Sequence, residues 1–82
     1  MVHRVADNRY YLTDTLRRLG QVAEGLCRKS PEENFDARAF RDASGIGRNV
    51  SIQVLEFFDK AGLTRREGDV RRINRPSAEI FG

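Results

Sequence analysis

DARAFRDASGIGRNVSIQVLEFFDKAGLTRREGDVRRI, residues 36–73, sets the architecture of this chain. Asp36 is a good N-cap, and Phe35 and Phe40 have the N′ and N4 spacing of a hydrophobic staple, so a short helix is predicted over 37–43. Ser44-Gly45-Ile46-Gly47 breaks it as a tight turn. A longer helix then runs over about 47–61, and Gly62 supplies a left-handed stop. At 100° per residue, Phe57, Val50, Ala61, Val54, Phe58, Ser51 and Leu55 fall within an arc of about 160°. Arg48, Asn49, Ile52, Gln53, Glu56, Asp59 and Lys60 occupy the other side, where Ile52 is the only apolar residue. Residues 63–74 read as a β-hairpin carrying four arginines. Helix, turn, helix and basic hairpin in this order present positive charge and a helix N-terminus to a nucleic acid.

The hairpin needs a register. A three-residue loop at Glu67-Gly68-Asp69 pairs Leu63 with Ile73 and Arg65 with Arg71, whereas a two-residue loop sets Leu63 against Asn74. The first brings the two apolar residues together on a core-facing side and is the expected register. It places Arg65 opposite Arg71, with Arg66 and Arg72 extending the field on the other face. Like charges opposed across strands destabilise a sheet, and a phosphate backbone would neutralise them and release counterions. The bland alternative is a solvated wing softened by Glu67 and Asp69.

Outward from this stretch, the signals are weaker. Residues 14–29 form a helix with Thr13 as candidate N-cap and an apolar stripe of Leu12, Leu16, Leu19, Ala23 and Leu26. Gly20 and Gly25 each weaken it by up to ~1 kcal/mol relative to alanine, so packing must hold it. Ser30-Pro31-Glu32-Glu33 supports at most one turn. Residues 1–12 suggest a hairpin about an Asp7-Asn8 turn, either part of this fold or the end of a preceding module. Residues 13–75 make the winged-helix domain, and 76–82 a tail whose Ile80 and Phe81 can pack back on it. The expected fold is α+β, mostly α: a winged helix-turn-helix of three helices with a small antiparallel β-hairpin wing.

Composition bounds the function. With 82 residues, 39% hydrophobic and 33% charged, the chain is one small globular domain. Its net charge of +3 is uneven: residues 63–75 hold five arginines against two acids, while residues 1–62 hold ten basic and nine acidic side chains. The single cysteine, Cys27, permits neither an internal disulfide nor a multi-thiolate zinc site, and it lies beside the core stripe as a small hydrophobe. His3 is the one histidine, near the start of the chain. There is no GxxxxGK[ST] loop, no metal-ligand spacing, no nucleophile with a base, and no apolar run long enough for a membrane span. A catalytic role is therefore not expected, and the location expected is the cytoplasm. The candidate nucleic-acid contacts are Gly47, Arg48, Asn49 and Gln53 at the start of the long helix, with Arg65, Arg66, Arg71 and Arg72 in the wing.

Phe40-Arg41-Asp42, Gly45-Ile46-Gly47-Arg48, Ile52-Gln53-Val54-Leu55-Glu56-Phe57-Phe58-Asp59, Gly62-Leu63-Thr64-Arg65-Arg66 and Gly68-Asp69, in this order and spacing, resemble the last winged-helix domain of the bacterial selenocysteine-specific elongation factor SelB. The resemblance is strong over about 35–73 and weaker over Asn8–Leu12 and the first helix. It implies an RNA-binding domain that recognises the selenocysteine-insertion hairpin of a messenger RNA and tethers the factor during incorporation at UGA. It implies RNA contacts at Gly47, Arg48 and Asn49, and at Arg65, Arg66 and Arg71; Asn49 stands where the family often has a basic residue. The parent protein would be a translational GTPase using GTP and magnesium in an upstream domain and binding selenocysteinyl-tRNA and the ribosome. The fragment itself would carry no cofactor and act as a monomer. Two other readings of the residues stay open: a double-stranded-DNA-binding winged helix of a transcription regulator, and a protein-interaction winged helix whose arginines meet an acidic partner.

Overall fold

The computed structural model describes residues 2–6 and 9–81. In chain order the elements are β1 (Val2–Ala6), β2 (Arg9–Leu12), α1 (Thr13–Lys29), β3 (Phe35–Asp36), α2 (Ala37–Ser44), α3 (Arg48–Ala61), β4 (Thr64–Glu67), β5 (Val70–Ile73) and α4 (Ser77–Phe81). The fold is a mostly helical winged helix, as the sequence implies. β1 and β2 form one antiparallel pair, and a second sheet has the order β3-β5-β4.

The helices pack by their apolar faces. Leu16, Leu19 and Ala23 of α1 are buried, joined by Gly20 and Cys27. From α3 the arc predicted to face inward contributes Ser51, Val54, Leu55 and Phe58. Phe40 of α2 lies between them, its ring 6.2 Å from Phe35 and 6.3 Å from Phe58. Each fully buried side chain of this size contributes about 1.5–3 kcal/mol. Asp36 caps α2, its carboxylate accepting from the Ala39 amide at 2.8 Å, and Gly62 ends α3 in the left-handed region (φ 89°).

Several expectations are corrected. Thr13 is the first residue of α1 and not its cap; the N-cap position falls on Leu12, and the Thr13 hydroxyl instead lies 3.1 Å from His3 Nε2. Leu12 leaves the predicted stripe and is 58% exposed, because pairing with Val2 turns it to the outer face of the N-terminal hairpin. That hairpin rests on α3 by its inner face: Val5 and Tyr11 pack against the core, and the His3 ring sits 5.9 Å from both Phe57 and Phe81. The Asp7-Asn8 turn expected there lies outside the described residues. The tail forms a helical turn, α4, that lies on α1 and buries Phe81. Glu24 of α1 accepts from the Ser77 amide and hydroxyl, and Arg17 donates to the Phe81 carbonyl at 3.0 Å.

The wing adopts the other register. Thr64 pairs with Ile73, Arg65 with Arg72, Arg66 with Arg71, and Glu67 with Val70. The connection is the two residues Gly68-Asp69, and Gly68 takes φ 65°. A positive φ at the first central position alone fits a type II′ turn, whose twist matches the flanking strands. Turn chemistry therefore outweighs the apolar match of Leu63 with Ile73. Leu63 is satisfied regardless: it is fully buried just before β4, and its carbonyl accepts from the Asn74 amide at 2.7 Å. Nor is the hairpin a free ribbon. Phe35 and Asp36 pair with Arg71 and Val70, so β5 is a central strand.

Candidate nucleic-acid interface

The start of α3 is open. Gly47 occupies its N-cap position and has no side chain to cap with, so the first amides of the helix point outward unpartnered by a cap. The next intrahelical bond is Ser51 N–H to the Gly47 carbonyl at 2.9 Å. Gly47, Arg48 and Asn49 are all exposed, and Arg48 and Asn49 have no side-chain partner among the described residues. An uncapped helix N-terminus flanked by an arginine is a ready anion site. Gln53 departs from its predicted role as a freely presented group: it is half-buried, and its Oε1 is buried with no donor among the described residues.

The shifted register redistributes the four wing arginines. Paired residues share a face and successive ones alternate, so Arg66 and Arg71 lie on one side and Arg65 and Arg72 on the other. Arg71 is turned inward. Its side chain is 9% exposed and grips the Asp59 carboxylate of α3, Nε at 3.2 Å from both oxygens and Nη2 at 3.1 Å from Oδ2. Thr64 Oγ1 donates to the same carboxylate at 2.6 Å. Asp59, placed by helical periodicity on the outer side of α3, is thus neutralised within the fold. Arg72 Nε meets Glu67 at 3.2 Å across the hairpin. The expected opposition of Arg65 and Arg71 does not exist; of the two that do, Arg66–Arg71 is relieved by the part-buried Asp59 carboxylate, whereas Arg65–Arg72 has only the exposed Glu67, which offsets little charge. Arg65 and Arg66 are exposed; Arg66 Nε donates to the Gly68 carbonyl at 3.1 Å, which stiffens the tip.

Along α3 the wing is rooted at Asp59 and the open turn starts at Arg48, about 16 Å apart at 1.5 Å per residue. The space between is flanked by α2. Arg38 and Arg41, which the sequence reading passed over, line a cleft of about 420 Å³ together with Ala37, Arg48, Ser51 and Ile52. The signal was present: two arginines at i, i+3 just after the Asp36 cap share a helix face. Missing was the knowledge that this face borders the start of α3. A second arginine-bearing cleft lies behind the wing, between Arg72 and Ile73 and the C-terminal half of α1, where Glu24, Glu33, Cys27 and Arg28 complete its lining. Burial pushes the Cys27 thiol pKa upward there, which disfavours the thiolate needed for nucleophilic chemistry. Among the described residues no group of His, Cys, Asp and Glu is arranged to hold a metal ion, and no helix is long and apolar enough to cross a membrane.

Residues 27–73 match the family described as the winged helix of elongation factor SelB. The selenocysteine-specific elongation factor of Escherichia coli (strain K12) is 33% identical over 69 residues, covering 84% of this chain and 11% of that protein. Its counterpart in Haemophilus influenzae is also 33% identical over 69 residues, covering 79% of this chain and 10% of that protein. The chain therefore spans about a tenth of the length of these curated relatives. Among solved structures, the mRNA-binding domain of E. coli SelB in complex with SECIS RNA superimposes with a TM-score of 0.83 at 31% identity, over 90% of this chain and 60% of that one.

Proposed function

This chain belongs to the SelB winged-helix family, and we propose on that footing that it binds a selenocysteine-insertion hairpin in messenger RNA and so tethers a SelB-type elongation factor during incorporation at UGA. The observation that carries the reading is the uncapped opening turn of α3, exposed at Gly47–Asn49 and bordered by guanidinium groups. The major groove of A-form RNA is too narrow to admit a helix along its length, so proteins grip its backbone and read unstacked loop bases. A helix tip with basic neighbours suits that task. Reading duplex DNA with the length of α3 would bring exposed Glu56 against phosphates.

The chain acts here as a binding domain. The GTPase, with its GTP and magnesium, belongs to an upstream part of the parent protein, as does binding of selenocysteinyl-tRNA; the ribosome is the parent's further partner and the cytoplasm its location. The domain contributes as a monomer. A competition titration at fixed salt tests the reading: a SECIS RNA hairpin is expected to displace a DNA duplex of equal length, and the reverse order of affinity would refute it.

A further inference from the structure

Three arginines, Arg38, Arg41 and Arg48, line the cleft between α2 and α3, and no carboxylate among the described residues lines it. Arg38 and Arg48 have no ion-pair partner among the described residues. Arg41 Nε meets Asp42 at 3.5 Å, but that aspartate side chain is 64% exposed, and such surface pairs offset little charge. The Ser51 hydroxyl donates to the Ile46 carbonyl at 3.5 Å and, being neutral, offsets none of the arginines' charge. The folded chain thus holds three like charges around one concavity with their field uncompensated. A neutral ligand would not relieve it and a cation would be repelled; an anion with several oxygens would take up the free donors.

Its location limits the choice of anion. Asp36 both caps α2 and pairs with Val70 of β5, so Arg38 is fixed relative to the wing by sheet pairing and not by a flexible loop. Arg48 belongs at once to the cleft and to the opening turn of α3. The cleft therefore opens beside the start of α3, and its α2 side is anchored to the wing's central strand through Asp36.

We propose that the α2–α3 cleft is a backbone-phosphate site, in which Arg38, Arg41 and Arg48 hold one or two successive phosphodiesters of the RNA strand as it passes from the start of α3 toward the wing. This rests on the RNA-binding reading. The guanidinium groups donate to the non-bridging oxygens, the first amides of α3 add donors from one side, and Ile52, 37% exposed, offers the adjoining ribose an apolar floor.

The same chemistry exists in duplex DNA and in free phosphate, so the test has three arms. Native chain, Arg38→Ala/Arg41→Ala and Arg38→Lys/Arg41→Lys are titrated with a SECIS RNA hairpin across a salt series, with a DNA duplex, and with inorganic phosphate, after circular dichroism confirms folding. The alanine pair is expected to weaken RNA binding 10- to 100-fold and to flatten the slope of log affinity against log salt by about 0.7–0.9 per lost phosphate contact. The lysine pair is expected to restore the slope, which a mere folding defect in the alanine pair would not explain. Native binding to RNA with unchanged affinity and slope in the alanine pair overturns the cleft while leaving the RNA reading intact. Failure of the native chain to bind the hairpin overturns both. A preference of the alanine-sensitive binding for duplex DNA, or inorganic phosphate that RNA does not displace, also overturns the proposal.

Discussion

The ion pair between Arg71 and Asp59 sets the wing on α3, and removing its halves one at a time measures that. The Asp59 carboxylate receives three contacts from Arg71 and one from Thr64. Arg71 is 9% exposed and Asp59 25%, so the two losses are unequal. Asp59→Ala leaves a nearly buried guanidinium with no acceptor, a change that costs about 3–5 kcal/mol. Arg71→Ala leaves a carboxylate that still reaches water and keeps its Thr64 bond, and should cost about 2 kcal/mol. Because the double variant loses the interaction only once, the coupling energy should be about 2 kcal/mol. In a domain of this size each kcal/mol shifts Tm by about 4–8 °C, so Asp59→Ala should melt at least about 12 °C below the native chain. Urea melts of the native, single and double variants, followed by circular dichroism at low temperature, give all four corners of the cycle. An Asp59→Ala loss under about 1 kcal/mol, or strictly additive single losses, would refute the inward assignment of Arg71 and return it to the solvent face.

The salt dependence of RNA binding separates inward from outward arginines: Arg66→Ala should reduce the slope by about 0.7–0.9 and Arg71→Ala should not, once folding is matched. For the native chain, neutralising about three to five phosphates gives a slope of about −2 to −4, and a flat dependence would contradict the electrostatic account. Arg48→Ala should weaken hairpin binding by about 1–3 kcal/mol in a fluorescence titration; no loss would move the contact elsewhere. Gly20→Ala should lower Tm despite alanine's better helix propensity, because its Cβ would stand 3.1 Å from Ser77 Cβ and 3.2 Å from Leu63 Cδ2; Gly25→Ala meets nothing within 4 Å and should raise stability by up to about 1 kcal/mol. The upward shift of the Cys27 thiol makes the folded state hold its proton longer than the unfolded one. Its contribution is therefore fully present below the ordinary thiol pKa of about 8.5 and is lost as pH rises through the folded value, so stability should fall above about pH 9 more in the native chain than in Cys27→Ala.

Much of the fold was legible because local and tertiary signals agree. The Asp36 cap, the Gly62 stop and the apolar arc of α3 all act at short range. The register was not, because two short-range rules conflicted: the apolar match of Leu63 with Ile73 and the Gly68 turn. Hairpin turn geometry is intrinsic to the two-residue connection, while Leu63 finds burial against α1 without a cross-strand partner. β3 was hidden because two residues carry no periodicity, and its pairing is visible only once α2 is docked. At the interface, the exposed opening turn could be read from Gly47-Arg48-Asn49. Arg71 could not, since nothing in sequence distance announces that a residue twelve positions before it will supply its counter-ion.

That counter-ion changes where the electrostatic argument belongs. Opposed arginines across a β-ladder invite the inference that an external polyanion must relieve them. In this wing the stronger relief is internal: the part-buried Asp59 answers Arg71, while the exposed Glu67 offsets Arg72 only weakly. The Arg66–Arg71 opposition is therefore no evidence of a ligand, and the wing's solvent-facing charge rests on Arg65 and Arg66, with Arg72 partly offset by Glu67. A further charge that the fold leaves uncompensated is at the α2–α3 cleft, which Arg38, Arg41 and Arg48 line and which no carboxylate among the described residues lines. None of the three is buried, so neutralising any one of them would not open the core. Placed beside an uncapped helix start, that cluster is a better basis for expecting a polyanion than the wing's own charge.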